Sequence, residues 1–243
     1  MGSRGDLAAV LDTLRIAPDG EGLIGADPVE CARVLGVDGV AVSALIGDGT
    51  GELLWSTPGV STELEDLQWT LGEGPGPEVA RAGAVSLEPD LTRIPAERWP
   101  VLLPRALAAG VRAVFCFPLL LGSACVGTLT LQRAAPGPPA PDTVPDVWIV
   151  AHALTGVLVQ NTGRLRAFAA GEGADLYRAA VHQAAGMISV QAGIGLPEAL
   201  VVLRAYAFSH DRAVMEVAED VLARRVHFRQ DEDGPDQSGR RRD

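Results

Sequence analysis

The residues that could do chemistry are dispersed along this chain. Its four histidines, His152, His182, His210 and His227, fall in separate predicted helices or at their ends. None has a carboxylate or cysteine at metal-ligand spacing, so packing or surface roles are expected before catalysis or metal binding. The three cysteines, Cys31, Cys116 and Cys125, are an odd number without a metal spacing. A predicted hairpin turning near residues 121–124 sets Cys125 opposite Leu120 and Cys116 opposite Leu129. That register holds the two sulfurs several residue pairs apart, too far for a disulfide, and both read as core residues. The run Gly72-Glu73-Gly74-Pro75-Gly76-Pro77 has the glycines of a phosphate cradle but not the lysine and hydroxyl residue that complete one. Its two prolines remove amide donors, so it reads as a loop. No nucleophile–base pair emerges, and the expectation is a protein without a catalytic site, a metal or a cofactor.

Composition narrows the partners. The 243 residues are 47% hydrophobic and 21% charged, enough apolar material for a real core. A net charge of −11 argues against a broad electrostatic grip on nucleic acid or an anionic membrane. Any nucleic-acid contact must therefore rest on a small local surface. All 20 basic residues are arginine, a bias that reads as background composition. The polar opening and the amphipathic segment 7–14 predict no signal peptide. Residues 113–132 carry no charge until the chain reaches Arg133, but Pro118, Gly122, Ser123 and Gly127 interrupt them. They read as two strands about a turn, so no membrane span and a reducing, cytoplasmic setting are expected.

The elements follow from periodicity and punctuation. Leu7, Val10, Leu11 and Leu14 repeat at helical spacing, and Pro18 and Gly20 stop that helix. A second helix spans 27–35, with Asp27 as cap, Pro28 in the first turn and Gly36 as terminator. Strands follow over 39–46 and 52–56 about a turn at Gly47-Asp48-Gly49, then a short polar-rich segment at 64–69 before the glycine-rich loop. Residues 84–87 predict a strand, 100–109 a helix ended by Gly110, and 111–120 with 124–132 a hairpin. Antiparallel strands among helices give an α+β layer rather than a doubly wound parallel sheet. After the proline-rich break at 134–145, a long helix over 146–169 carries Val147, Val150, Leu154, Val157, Asn161 and Phe168 at heptad-like spacing. That stripe fits a parallel dimer with Asn161 fixing register, against a helix lying on its own sheet. Gly171-Glu172-Gly173 reads as a hinge. Three helices come next, with apolar stripes Leu176–Ala180–Ala184–Ile188, Leu200–Leu203–Ala207, and Val214–Val217–Ala218–Val221–Leu222. The polar segment 230–243 is expected to be a disordered tail.

The helical part has specific wording. Ala180-Val181-His182-Gln183-Ala184-Ala185-Gly186-Met187-Ile188 is followed by Glu198-Ala199-Leu200, Leu203-Arg204-Ala205-Tyr206-Ala207 and Val217-Ala218-Glu219-Asp220-Val221. Over 176–228 this resembles the ANTAR family of RNA-binding transcription antitermination domains. Residues 7–169 resemble a GAF domain, through strand order, Leu71-Gly72-Glu73-Gly74-Pro75 and Val126-Gly127-Thr128-Leu129. Together they resemble GAF–ANTAR regulators of actinobacterial type. The resemblance implies a GAF-like antiparallel sheet flanked by helices, followed by a long helix and a C-terminal three-helix bundle. It divides the chain into a sensor at 1–169, an RNA-binding domain at 170–229 and the tail.

It further implies a homodimer that binds RNA bearing paired stem-loops, with a small-molecule ligand of the sensor left open. On that reading Gly186 permits close backbone approach while Ala184 and Ala185 keep the helix face shallow. Gln183 and Ser189 would meet base edges, and Arg178 and Arg204 phosphate. Small residues at these spacings equally let three helices pack tightly. Ala185 stands where family members commonly have lysine, and residues 175–229 hold six acidic residues and six arginines. Fewer phosphate contacts follow from that balance, so the alternative is an ANTAR-like dimerisation or protein-interaction module that has lost RNA binding. Duplex DNA binding is a poorer fit, because the third helix is acidic.

Overall fold

In the computed structural model, residues 4–14, 24–46, 50–161, 176–210, 212 and 214–228 are described. The chain divides into two compact units, 1–173 and 174–243. The predicted hinge, the end of the long helix with Phe168, the turn 47–49 and the tail lie outside the described residues.

The first unit is built on one sheet. Helices α1 (Arg4–Thr13) and α2 (Pro28–Leu35) precede strands β1 (Gly39–Ile46) and β2 (Thr50–Ser56). Helices α3 (Val60–Leu71) and α4 (Pro75–Ala82) lead to the short strand β3 (Ser86–Glu88) and helix α5 (Leu102–Ala108). The hairpin β4 (Ala113–Leu121) and β5 (Ala124–Arg133) and helix α6 (Thr143–Gln160) complete it. The strands pair antiparallel in the order β2-β1-β5-β4-β3. This is the α+β architecture expected of a GAF-like sheet. Helix α2 obeys its local signals: the Asp27 side chain accepts from the Val29 amide, and Gly36 ends the helix at φ 66°.

Two differences from the sequence reading have plain causes. Pro75 and Pro77 open helix α4 rather than extending a loop, because a first turn has no intrahelical acceptors for the amides that proline lacks. An irregularity between Leu119 and Leu120 keeps Leu120 opposite Cys125 but moves Cys116 opposite Thr130 instead of Leu129. Cys116 therefore shares a sheet face with Thr130, and all three cysteines are free thiols.

One face of the sheet is apolar. Val40, Val42, Ala44, Phe115, Phe117, Leu119, Leu129 and Leu131 pack there against α1, α2 and α6. Helix α6 contributes Val147, Val150, Ala151, Leu154 and Leu158. The heptad-like stripe thus lies on the unit's own sheet, and Asn161 ends the helix, its Nδ2 donating to the Val157 carbonyl at 2.6 Å. The stripe does not provide a dimer seam with this face. By length and composition α6 is long and apolar enough to cross a membrane; its inner face is the floor of this core.

The second unit contains helices α7 (Leu176–Ala192), α8 (Leu196–Ser209) and α9 (Val214–Leu222). Val181, Ala184, Ala185 and Ile188 of α7 are buried together with Ala199, Leu200, Leu203 and Ala207 of α8. Val214, Val217, Ala218 and Val221 supply the third buried face. Alanines at the contact positions let the helices approach closely. Leu222, expected in the stripe, is only half-buried.

Candidate functional site

The opposite face of the first unit's sheet is polar and still buried. Register places Ser43 opposite Thr128, Cys116 opposite Thr130 and Gly39 opposite Gln132, and all five of these polar or thiol side chains are buried. Helix α3 lays Ser61, Glu65 and Gln68 over them, also buried. The Ser43 hydroxyl donates to Glu65 Oε2 at 2.8 Å, and Gln68 Nε2 donates to Glu65 Oε1 at 2.7 Å. Gln68 Oε1 accepts the Gly76 amide at 2.7 Å. One carboxamide thereby ties the start of α4 to α3. A Cβ at Gly74, which has φ 110°, would lie 2.7 Å from that same oxygen, so the close approach requires glycine. Burial, and after it the nearby Glu65 carboxyl, push the Cys116 thiol above its ordinary value and keep it protonated. Cys31, in the other core, is pushed up to about 12 by burial.

The rim of this layer is clamped. Glu73 Oε2 accepts the Val101 and Leu102 amides at 3.0 and 2.9 Å, capping α5. Arg98 bridges Glu78 at 2.7 Å and Glu88 at 2.8 Å, and Trp99 Nε1 donates to Glu78 Oε1 at 2.8 Å. Burial opposes ionisation of Glu78, but the Arg98 and Trp99 hydrogen bonds outweigh it and hold the carboxyl below its usual value. Such a layer offers donors and acceptors for a small polar molecule, provided the molecule displaces the internal partners. Among the described residues, no three His, Cys, Asp or Glu side chains cluster as metal ligands.

The helical unit separates the RNA-contact residues expected from the sequence. Ala184 and Ala185 are fully buried between the helices, so they are withdrawn from any ligand surface. Tight packing, not a shallow outer face, accounts for their size. Gln183 and Gly186 do lie together, on an open groove of about 560 Å³ that Met187, Leu222, Arg224 and His227 also line. Ser189 does not line that groove; its hydroxyl donates to the Ile194 carbonyl at 2.6 Å and secures the turn after α7. Arg204 is half-buried on α8, also outside the groove lining. The Arg178 side chain lies outside the described residues. Sequence reasoning missed Met187, Leu222, Arg224 and His227. The spacing of Gln183, Gly186, Met187 and Val190 on one helical face was available to find half of this groove.

No protein-family model matches the chain, and no curated protein matches it in sequence. Among solved structures it is similar to the GAF domain of a phosphoenolpyruvate-protein phosphotransferase from Acinetobacter. That match has a TM-score of 0.50 and 14% identity, over 68% of this chain and 99% of the other. The GAF domain of a phosphoenolpyruvate-protein phosphotransferase from Coxiella burnetii matches with a TM-score of 0.51 and 16% identity, over 66% of this chain and 94% of the other. At such identities the likeness shows the fold: a GAF-like sheet flanked by helices.

Proposed function

We propose that the chain is a signal-responsive, RNA-binding regulator of transcription antitermination, without enzymatic activity, acting in the cytoplasm as a homodimer. The GAF-fold unit is its sensor and the helical unit its output. The observation that carries the reading is the ordered wording of the helical unit. Its three ANTAR-like signatures fall on α7, α8 and α9, and the first places Gln183 and Gly186 on an outward groove. Helix α7 contains no aspartate or glutamate, in a chain with 31 of them. Local absence of negative charge is what a phosphate backbone needs from an acidic protein.

A small-molecule ligand of the sensor would have to compete for the hydrogen bonds that Gln68 makes to Glu65 and Gly76. Dimerisation through α6 would use its outer face, where Ile149 and Val159 are exposed. Two linked output modules would then bind paired RNA stem-loops by avidity, which offsets weak single-site contacts.

The test is binding of the full chain to an RNA with two adjacent hairpins, against single-hairpin RNA and duplex DNA, at low and moderate salt. Selective, salt-sensitive binding of the paired hairpins is expected, and Gly186→Arg should abolish it with the tryptophan fluorescence of the sensor unchanged. Absence of binding at low salt would favour a second reading, a dimerisation or docking module. Its support is the exposed apolar row Val201 and Phe208 on α8.

A further inference from the structure

We infer that the groove between α7 and the end of α9 is the seat of an unstacked RNA base, with Arg224 at the adjoining phosphate. This rests on the RNA reading above and assigns its contact site. The groove holds two residues that the fold alone would not choose.

Gly186 is in the interior of α7, where alanine is the better helix former. A Cβ there would meet no described atom within 4 Å, so no neighbouring helix requires the missing side chain. Among the described residues, Arg224 is the non-glycine residue with positive φ, 58°. It occupies the left-handed position that closes α9: its amide donates to the Val221 carbonyl at 2.9 Å, and the Arg225 amide donates to the Asp220 carbonyl at 2.7 Å. Glycine is the residue such a helix end favours. The fold would be at least as stable with alanine at 186 and glycine at 224, and both positions line the same groove. Local rules broken twice at one place mark a site whose residues answer to something outside the fold.

The groove's chemistry says what that is. Met187 and Leu222 provide an apolar floor, and Val190, 85% exposed, extends it. Gln183 brings a carboxamide that both donates and accepts. Among the described residues, the lining has no carboxylate. Arg212 and Arg225 are both committed to Asp220, at 2.7 and 2.6 Å, whereas the Arg224 guanidinium has no hydrogen bond or ion pair among the described residues. The segment carrying His227 is held in place: the Phe228 amide donates to Gln191 Oε1 at 2.9 Å, and the Phe228 ring meets Tyr206 edge-on at 5.1 Å. A flat ligand with polar edges and an attached anion fits this set, and an unstacked loop nucleotide has those features.

The experiment measures full-length wild type, Gly186→Ala and Arg224→Gly for thermal stability of the helical unit and for affinity toward the two-hairpin RNA over a salt series. Both variants are expected to melt at or above the wild-type temperature and to bind about tenfold more weakly. Arg224→Gly should also lower the slope of log affinity against log salt by about 0.7, one phosphate contact on a single strand. Stable variants that bind as wild type does would overturn the groove assignment and leave the RNA reading standing. A variant that melts lower would overturn it too, because the fold itself would then need that residue. Wild type that binds no RNA at low salt would overturn both.

Discussion

Replacing Gln68 by alanine should cost the sensor about 3 kcal/mol. The side chain is 1% exposed and makes two buried hydrogen bonds, at 2.7 Å each. Its loss strands the Gly76 amide in the interior, about 2 kcal/mol, and removes a donor from Glu65, about 1 kcal/mol more. A water molecule admitted to the space would lower that figure. The assay is urea unfolding followed by fluorescence, since Trp55, Trp69, Trp99 and Trp148 all lie in the first unit. With a slope of about 2 kcal/mol/M, the midpoint should fall by about 1.5 M. Gln68→Glu should make the sensor's stability depend on pH. Facing Glu65, the introduced carboxyl is raised above its unfolded value. In its protonated form it can donate to Glu65 and accept from Gly76, as the glutamine does. The variant should therefore approach wild type below about pH 4.3 and lose stability as pH rises through the raised value. A Gln68→Ala midpoint within about 0.3 M of wild type would refute the reasoning, because water would then already replace the carboxamide at little cost.

Three further outcomes are expected. The Glu78 carboxyl, held low by Arg98 and Trp99 against burial, contributes stability above the ordinary value of 4.5 that is lost as pH falls through its lower folded value. Glu78→Gln should flatten the fluorescence-detected stability profile between about pH 6 and pH 3. Ala184→Leu drives a larger side chain into a fully buried contact and should cost the helical unit about 1–3 kcal/mol, read by far-UV circular dichroism with the tryptophan signal unchanged. Ile149→Asp with Val159→Asp, both exposed on α6, should convert the proposed dimer to monomers in sedimentation. A wild-type chain that already sediments as a monomer would remove the avidity argument.

The legible parts of the fold are those where one local rule has one meaning. Asp27, Pro28 and Gly36 bound α2 because a side-chain cap, a first-turn proline and a left-handed glycine are each specific to a helix end. The strands 39–46 and 113–121 are readable as β-branched and aromatic runs. Illegible parts are those where one pattern serves two structures. Val147, Val150, Leu154 and Leu158 repeat every three or four residues, which suits a coiled-coil seam and a helix seated on a sheet equally. Only the apolar sheet beneath α6 decides between them. Likewise Ser43, Thr128 and Thr130 alternate with apolar residues as if facing solvent. A strand cannot announce that Glu65 and Gln68 will cover its polar side.

The same ambiguity, one residue at a time, governs the candidate RNA site. Ala184, Ala185 and Gly186 read as a single run of small residues, which invites one function for all three. Successive helical residues are turned by about 100°, so the run cannot share one environment. The turn puts both alanines between helices and Gly186 at the groove. Small size therefore has two causes within three positions. At the alanines it lets α8 and α9 approach, and enlarging either residue should damage the bundle. At Gly186 no described residue of the bundle asks for it, so alanine there should leave the bundle intact and cost only what binds outside it. Arg224 carries the same logic with the opposite chemistry, a large charged residue where the helix end favours none. At both groove positions RNA affinity should fall while stability holds or rises. That divergence separates a binding groove from an accident of packing.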